Sequence, residues 1–454
     1  STGLKLLGIN RRQRVGTQRE GSGGLGMCDE RFTYIGNRQV WGKDNEPFGI
    51  FEHDRAFHMH IIGKTGTGKS TLLRNMMIQD IHNGYGVALI DPHGDLADEL
   101  LDHIPPHRFD DVVYFNPADV EYPIGLNLLE DVPIDERHLV ASGIVCSFKS
   151  IWRDSWGVRM EYILYATVAS LLDCQNTSIL GIQRMLTDSQ YRAWVVKQVK
   201  DPRIRSFWVD EFAKYDERFM REAVAPIQNK VGQLLVAAPI RNTFGQIRSG
   251  FNPRFMMDDS RILIASLAKG KLGEDKANLL GALLVTQFQL AAMARANMPE
   301  SERRMFYLYI DEFSNFTTDS FASILSEARK YRLSLVLSHQ YSGQVSDQIH
   351  DAIYGNVGTH VAFRVSSKDA ELLAQDFGEE FRSSHFTDLS NHEAYIKKLS
   401  DGEQIQPFKG KTFPPLEVPH NKKEKLIQLS RKKYGVSRKT VEDRVCRWST
   451  ILPT

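Results

Sequence analysis

Strand-like and helix-like segments alternate along two parts of the chain. Short apolar runs, each typical of a buried strand, occur at residues 61–62, 87–90, 112–115, 262–265, 305–310, 333–337 and 361–365. Amphipathic stretches with helical spacing lie between them, as in residues 72–81. This alternation predicts an α/β fold with a mostly parallel sheet.

Residues 130–255 have a different pattern. Long amphipathic stretches at 139–152, 160–172, 190–199, 204–214 and 221–235 predict helices, and strand-like runs are few. Because strand patterns resume beyond this region, we interpret it as an all-α insertion between two parts of one sheet.

Composition and charge leave most classes of function open. Of 454 residues, 42% are hydrophobic, and 57 Lys and Arg balance 56 Asp and Glu. This balance neither favours nor excludes a polyanionic partner, so any nucleic-acid contact would depend on local patches. Cys28, Cys146, Cys174 and Cys446 are widely spaced, which favours reduced thiols over a zinc site or disulfide frame. The most apolar stretch, 279–294, contains polar residues, so we expect no membrane-spanning segment.

A glycine-rich loop lies between the first strand and the helix that follows it. Its sequence, Gly63-Lys-Thr-Gly-Thr-Gly-Lys69-Ser70-Thr71, fits the Walker A pattern, in which glycines let backbone N–H groups approach phosphates. We expect Lys69 to bind the β- and γ-phosphates of ATP and Ser70 to ligate Mg²⁺. The residues expected to bind nucleotide are Gly63, Thr65, Gly66, Thr67, Gly68, Lys69, Ser70 and Thr71. A glycine-rich turn without nucleotide is the alternative, but the strand before the loop and the helix after it favour binding.

An acidic pair follows the strand at 305–310. An apolar strand that ends in Asp311-Glu312 fits the Walker B pattern. Asp311 would hold Mg²⁺, directly or through water, and Glu312 would polarise the water that attacks the γ-phosphate. The alternative is a buried strand with a solvated acidic end.

Two further residues complete the predicted catalytic set. The strand at 333–337 leads into Gln340, and we expect it beside the P-loop strand, where Gln340 could sense the γ-phosphate or position the lytic water. Arg329 is the first choice for a cation that reaches the γ-phosphate of a neighbouring subunit, ahead of Arg332 and Arg364. For each arginine, a solvated surface is the alternative.

These motifs together resemble a known group of ATPases. In chain order they are Phe48-Gly-Ile, Asp54-Arg55, His58, the glycine loop, Ile90-Asp-Pro-His-Gly-Asp95, Ile310-Asp-Glu-Phe313, Ser326-Glu-Ala-Arg-Lys-Tyr331, Ser338-His-Gln340 and Gly355-Asn-Val-Gly-Thr359. The first six resemble the HerA/FtsK superfamily of ring ATPases. With the last three, the set is most similar to the TraG/TraD-type coupling ATPases of conjugation and type IV secretion.

The resemblance implies a RecA-like P-loop NTPase core with an all-α insertion domain. It also implies a homohexamer with ATP between subunits and DNA in a central channel. The roles above then fall to Lys69, Ser70, Asp311, Glu312 and Gln340, with Arg329 as the arginine acting in trans.

The expected division is a flexible basic N-terminal arm (1–44), the first part of the ATPase domain (45–129), the insertion (130–255), the second part (256–415) and a basic helical C-terminal tail (416–454). Coupling proteins usually carry N-terminal transmembrane helices and HerA helicases an N-terminal β-barrel; this chain shows neither. Conjugation, DNA repair and phage defence therefore all stay open.

DNA contacts are predicted from basic segments. Lys269-Gly-Lys271-Leu-Gly273 is a glycine-flanked basic loop whose lysines could track phosphates along a pore. Residues 241–248 and the basic C-terminal helix are weaker candidates, and an ordinary solvated surface is the alternative for all three.

The leading functional hypothesis is an ATP-driven DNA translocase or helicase. The alternatives are a secretion ATPase that moves protein, and a nucleotide-gated scaffold that recruits a nuclease or effector. We expect a cytoplasmic protein, with any membrane association through a partner, such as secretion machinery, or through an anchor ahead of Ser1.

Overall fold

One large mixed sheet organises the part of the chain that the computed structural model describes, residues 31–38, 45–417 and 419–450. The strands are β1 Phe32–Arg38, β2 Glu46–Phe51, β3 Met59–Ile62, β4 Gly86–Asp91, β5 Val112–Phe115, β6 Ile262–Ser266, β7 Phe306–Ile310, β8 Leu333–His339, β9 Thr359–Ala362, β10 Glu393–Lys397, β11 Leu399–Ser400, β12 Glu403–Gln404 and β13 Phe408–Thr412. Eleven of them form the sheet, in the order β2-β1-β13-β10-β9-β3-β8-β7-β4-β6-β5, while β11 and β12 form a separate ribbon.

The strands from β9 to β5 all run parallel. Each strand predicted from an apolar run is present in this part of the sheet, and the predicted α/β class is confirmed. Every residue of β4, β6, β7 and β8 is buried, as expected for parallel strands covered on both faces. Parallel pairing places the carboxyl ends of these strands along one edge of the sheet.

The antiparallel part was not predicted. β1 pairs with β2 and β13, and β10 pairs with β13 and β9. The prediction of a flexible arm is therefore wrong for residues 32–38, because Gly36 and Asn37 pair with Thr412 and Lys411, near the other end of the chain. Residues 1–30 and 39–44 of that predicted arm lie outside the described residues.

Helices cover both faces of the sheet and fill the region between β5 and β6. They are α1 Glu52–Arg55, α2 Lys69–His82, α3 Asp95–Leu101, α4 Arg137–Ile151, α5 Val158–Leu172, α6 Gly181–Thr187, α7 Ser189–Gln198, α8 Pro202–Ser206, α9 Glu217–Ile227, α10 Gln233–Val236, α11 Ala238–Phe244, α12 Pro253–Asp258, α13 Lys269–Leu272, α14 Glu274–Met293, α15 Phe321–Glu327, α16 Asp347–Asn356, α17 Ser367–Phe377, α18 Ser383–Thr387, α19 Lys423–Tyr434 and α20 Arg438–Thr450.

Two main apolar clusters hold these layers together. On one face of the sheet, Leu89 and Val336 pack with α2 and α3. On the other, Ile90 and Leu337 belong to a cluster that continues through α14 into the helical region between β5 and β6. Fully buried side chains of this size contribute about 1.5–3 kcal/mol each. The predicted helical character of residues 130–255 agrees with this structure, while their status as a separate domain stays a prediction.

Helix α14 has the length and apolarity of a membrane-spanning segment. Among the described residues, Glu274–Asn297 is the one helical span that is long and apolar enough to cross a membrane. In its most apolar stretch of 18 residues, 67% is buried inside the protein. The helix packs against α4, and Phe288 stacks on Phe306 of β7 with ring centroids 5.5 Å apart. Burial of this kind is typical of the core helix of a globular domain.

The C-terminal helices are packed against the rest of the protein. Ser430 of α19 accepts a hydrogen bond from the backbone N–H of Tyr114 in β5, at 2.9 Å. In α20, the backbone carbonyl of Trp448 accepts a hydrogen bond from Arg184, at 2.6 Å. The predicted helical character of residues 416–454 agrees with α19 and α20, but the described part is docked and is not a free tail.

Candidate nucleotide site

The glycine loop connects β3 to α2 in a conformation that requires glycine. Gly66 and Gly68 have φ angles of 77° and 120°, which side chains disfavour. A Cβ atom on Gly68 would lie 2.8 Å from Nδ1 of His392, and one on Gly63 would lie 2.6 Å from Cβ of Phe363. The loop is therefore closely packed from behind, while Gly66 faces open space, where a phosphate can approach the backbone.

Lys69 points back into this loop. Its Nζ donates hydrogen bonds to the carbonyl oxygens of Gly63, at 2.5 Å, and Lys64, at 3.2 Å. Burial lowers the pKa of Lys69, and the nearby charges of Glu312 and Asp311 oppose that shift. The cation thus lies within the loop and near the acidic pair, so the residues fit the triphosphate predicted from the sequence.

The other loop residues divide into exposed and buried groups. Thr65, Gly66 and Ser70 are exposed, and Ser70 lies in the first turn of α2. Thr67 is buried, and its hydroxyl donates to the carbonyl of Lys64 at 2.7 Å. Thr67 therefore shapes the loop, whereas the Ser70 hydroxyl is available to a metal ion.

The acidic pair follows β7 at the same edge of the sheet. Asp311 and Glu312 are each 6% exposed, and Glu312 has a left-handed φ of 47°. Burial raises the pKa of Asp311 and the charge of Glu312 adds to this, while a 2.6 Å hydrogen bond from Ser338 and the charge of Lys69 oppose it. Burial disfavours the ionised form of Asp311. A bound Mg²⁺ would add a positive charge that stabilises the ionised carboxylate, so Asp311 fits a metal site.

Strand β8 lies between the two Walker strands, as predicted, pairing with β3 on one side and β7 on the other. Gln340 follows it and lines a cavity of about 640 Å³ together with Lys64 and Thr65 of the glycine loop. Lys368 lines the same cavity from the first turn of α17. No motif in the sequence pointed to Lys368, because only the pairing of β9 with β3 brings α17 to this edge.

A third buried carboxylate, Asp91, ends β4. Its oxygens accept hydrogen bonds from the backbone N–H groups of His93 and Ala97, both at 2.9 Å. Burial raises its pKa, and the charge of Asp311 contributes. Asp91 therefore holds the turn into α3 beside the acidic pair.

Arg329 lies at the opposite edge of the sheet. It precedes β8, and its guanidinium lies 3.4 Å from the ring centroid of Phe57. Because β8 has 7 residues, at about 3.3 Å per residue Arg329 is roughly 20 Å from the glycine loop of its own chain. Arg364 instead lies beside that loop, since its carbonyl accepts a 2.9 Å hydrogen bond from Lys64 N–H. Arg329 as an arginine acting in trans stays a prediction.

Lys269 and Lys271 lie in a helical turn, so the prediction of a loop is wrong there. The turn Lys269–Leu272 continues the chain from β6 into α14. Lys269 Nζ donates to Asn315 Oδ1 at 2.8 Å, and Asn315 Nδ2 donates to the carbonyl of Glu312 at 2.9 Å. Lys269 is thereby tied to the acidic pair, while Lys271 is exposed. Their contact with DNA stays a prediction.

Three buried histidines connect the strands behind the site. His360 Nε2 lies 3.1 Å from the carbonyl of Val357, His60 Nδ1 lies 3.3 Å from His360 Nδ1, and His60 Nε2 lies 2.9 Å from His339 Nε2. A carbonyl oxygen only accepts hydrogen bonds, so neutral His360 carries its proton on Nε2. It follows that His60 is protonated on Nδ1 and His339 on Nε2. This leaves His339 Nδ1 as an acceptor, without a partner among the described residues.

Burial keeps this histidine chain neutral. It lowers the pKa of His339 and of His360 to about 3, and the pKa of His60 well below its usual value. His339 ends β8, and its carbonyl accepts a hydrogen bond from Gly63 N–H at 3.3 Å. The chain is therefore a rigid link between the P-loop strand and the strand that leads to Gln340.

These features define a class of protein. A parallel sheet with a glycine loop after β3, an acidic pair after β7 and a polar residue after the intervening β8 is the core of a P-loop NTPase. The sequence model of the family described as the type IV secretion-system coupling protein DNA-binding domain matches residues 50–394. The chain belongs to that family.

Solved structures with the same fold are known. The plasmid coupling protein TrwB in complex with the non-hydrolysable ATP analogue ADPNP has a TM-score of 0.59 and 16% identity, over 87% of this chain and 97% of that chain. TrwB in complex with ADP and Mg²⁺ gives 0.56 and 16%, with the same coverage. VirB4 of Thermoanaerobacter pseudethanolicus gives 0.57 and 13%, over 87% of this chain and 100% of that chain. No curated protein sequence matches the chain significantly.

Membership in the family confirms the main functional predictions. Coupling proteins of this type are ATP-driven motors that translocate DNA in conjugation, which supports the predicted function of this chain as an ATP hydrolase. The hypotheses of a protein-secretion ATPase and of a nucleotide-gated scaffold are not favoured.

Proposed function

We propose that the chain works as a homohexameric ring that hydrolyses ATP between subunits and moves DNA through its centre. The observation that carries the proposal is the proximity of Lys69 to the acidic pair at one edge of the sheet. At the same edge, Gln340 lines a cavity together with Lys64 and Thr65 of the glycine loop. Arg329 lies at the other edge, where a neighbouring subunit in a ring could receive it.

The roles of the side chains follow from their positions. Lys69 binds the β- and γ-phosphates, replacing its present contacts with the loop carbonyls. Ser70 and Asp311 would hold Mg²⁺, and the bound ion would supply positive charge to the phosphates. Glu312 accepts a proton from the attacking water, and Gln340 orients that water.

DNA is the proposed substrate of the motor, and the ring is the proposed oligomer. The described residues contain no span that is both membrane-like and exposed. We propose a cytoplasmic motor that reaches the membrane through secretion machinery, since coupling proteins of the family act at the membrane.

ATP turnover with and without DNA tests the proposal. The measurement is phosphate release at saturating ATP, alone and with single- or double-stranded DNA, on protein whose oligomeric state is determined by mass photometry. We expect DNA to raise turnover severalfold. Indifference of a hexameric preparation to both forms of DNA would refute the motor.

Mixed rings test the shared site. Arg329→Ala and Lys69→Ala subunits should each be inactive alone, but mixing them should restore part of the turnover, because some interfaces then contain one intact half from each chain. Arg332→Ala is the comparison for Arg329, since it lies three residues away on the same segment. If Arg329→Ala subunits are active alone, while Arg332→Ala subunits are inactive alone and recover on mixing with Lys69→Ala subunits, the role belongs to Arg332.

A further inference from the structure

A second cavity lies far from the nucleotide loop, between the segment after α11 and the two C-terminal helices. It has a volume of about 690 Å³ and is lined by residues 245–250 on one side and by residues of α19, α20 and their connection on the other. Its size is within the range of small-ligand sites. None of the predicted catalytic residues lines it.

The walls of this cavity are fixed by close backbone packing. A Cβ atom on Gly250 would lie 2.7 Å from the carbonyl oxygen of Tyr434, and one on Gly435 would lie 2.8 Å from that of Arg431. Gly435 also forms a β-bridge with Ile124. The two walls are therefore held in place before any ligand arrives.

The lining is basic. Four cationic side chains, Arg248, Lys433, Arg444 and Arg447, face the cavity, and no Asp or Glu is among the described residues that line it. Arg248 is paired with Glu130 at 3.0 Å. The other three form no ion pair with a carboxylate of the described residues: Lys433 and Arg447 donate only to backbone carbonyls, at 2.7 and 3.3 Å.

Two aromatic side chains, Tyr434 and Trp448, complete the wall. Trp448 is held from outside the cavity, since its indole N–H donates to the carbonyl of Asn176 at 3.3 Å and its ring packs edge-on against Tyr191 at 5.9 Å. A fixed aromatic ring beside uncompensated cations offers a flat base a stacking surface and its phosphate a counter-charge.

We infer that this cavity binds nucleotide units of single-stranded DNA, with phosphates on Lys433, Arg444 and Arg447 and a base against Trp448 or Tyr434. The inference rests on the proposed motor function and names a DNA contact for it. The volume favours unpaired nucleotide units, because stacked and paired bases are too large to enter the cavity. An acidic peptide would satisfy the cations but would leave the aromatic wall unused.

Charge reversal within one helix pair gives a matched test. Arg444→Glu/Arg447→Glu changes two residues that line the cavity, and Lys432→Glu/Lys439→Glu makes the same change of charge on exposed residues of α19 and α20 that do not line it. Binding of a fluorescein-labelled thymidine oligonucleotide is measured by anisotropy over a range of salt concentrations. Melting curves by circular dichroism report folding. If charge reversal prevents folding, neutral variants replace both pairs: Arg444→Gln/Arg447→Gln in the cavity and Lys432→Gln/Lys439→Gln as the control.

We expect the cavity variant to bind the oligonucleotide at least about tenfold more weakly. Its slope of log K against log salt should be smaller by about 1.4, since roughly 0.7 is lost for each phosphate contact removed from a single strand. The control pair should shift binding by less than about threefold. Equal weakening by both pairs would overturn the inference, because the effect would then be general surface charge.

Three further measurements identify the ligand. Trp448→Ala should weaken oligonucleotide binding about tenfold while leaving binding of an abasic oligonucleotide nearly unchanged; equal loss for both would overturn the stacking role. If polyglutamate competes as well as unlabelled oligonucleotide does, the cavity binds acidic peptides. If thymidine monophosphate saturates the cavity and the oligonucleotide does not, the cavity binds free nucleotides. If wild-type protein binds no DNA at all, the motor itself fails, which is a distinct outcome.

Discussion

The buried histidine chain makes the stability of this protein sensitive to acid. In the folded state burial lowers the pKa values of His60, His339 and His360, to about 3 for the last two. In the unfolded chain a histidine titrates near 6.5. Below about pH 6.5 the unfolded state therefore binds more protons than the folded state, so the free energy of unfolding falls as the pH falls.

The magnitude follows from this difference. At pH 5, the solution is about 1.5 pH units below the unfolded pKa of His339 and of His360, which costs about 2 kcal/mol for each residue at 1.36 kcal/mol per unit. Together these two residues cost about 4 kcal/mol between pH 7.5 and pH 5, and the lowered pKa of His60 acts in the same direction. This loss is a large part of the 5–15 kcal/mol that stabilises a typical domain. Acid should therefore unfold the protein while most of its exposed carboxylates are still ionised.

Replacing one member of the chain isolates its contribution. His360→Gln keeps a donor for the carbonyl of Val357 but removes one titrating group, so the variant should be less stable at pH 7.5 and less sensitive to acid. Guanidinium unfolding at several pH values between 7.5 and 5 measures both effects. Near pH 5, where the unfolded histidine is almost fully protonated, the slope of the unfolding free energy against pH should fall by about 1.4 kcal/mol per unit, and near pH 7.5 it should change little.

A replacement outside the chain gives the control. His138 is exposed at the start of α4, and His138→Gln is the matched replacement of a histidine outside the buried chain. A slope that His360→Gln does not change would refute the reasoning, because His360 would then bind protons equally in both states.

Four other replacements test the site and the core. Glu312→Gln should retain ATP but lower turnover by about 10²- to 10⁴-fold, because it removes the proposed base; nucleotide binding and phosphate release measure this, and surviving turnover would disprove the role. Asp80→Ala should cost about 3–5 kcal/mol in urea unfolding, because it leaves the fully buried guanidinium of Arg55 without its ion-pair partner. Arg74→Ala, which breaks a pair with a carboxylate that is 58% exposed, should cost less than about 1 kcal/mol, and similar losses for the two would contradict this account. Asp311→Asn should raise the melting temperature of the nucleotide-free protein, since burial raises the pKa of Asp311 and its ionised form destabilises the fold at pH values above that pKa; a lower melting temperature would count against it.

The nucleotide loop and the acidic pair could be predicted because their signals are local. The bonds of Lys69 to Gly63 and Lys64 lie within one run of nine residues, so the loop conformation follows from contiguous sequence. Asp311 ends an apolar strand, and parallel pairing brings strand ends to one edge whatever the order of the strands. The same rule placed Gln340 correctly beside the glycine loop.

Features that join distant segments could not be predicted in this way. β1 pairs with β13, which is far away in the sequence. Phe32-Thr-Tyr-Ile35 is a short run of strand-forming residues in β1, whereas β13 is mostly polar and contains a glycine, so contiguous sequence does not reveal their pairing. The turn at Lys269 was interpreted as a loop because its two glycines dominate a short window, whereas bonding to Asn315 holds it in helical form.

Four features of this protein follow from contiguous sequence: its ATP-binding loop, its acidic pair, its parallel core strands and its membership among coupling ATPases. Contacts between residues that are far apart in the sequence follow only from the folded structure. His60, His339 and His360 lie on three separate segments, and Arg444 and Arg447 face residues 245–250 across a cavity. Backbone propensity and hydrophobic periodicity depend on a few neighbouring residues, so they can be recognised in the sequence. Chains of buried polar groups and cavities depend on how whole strands and helices pack together.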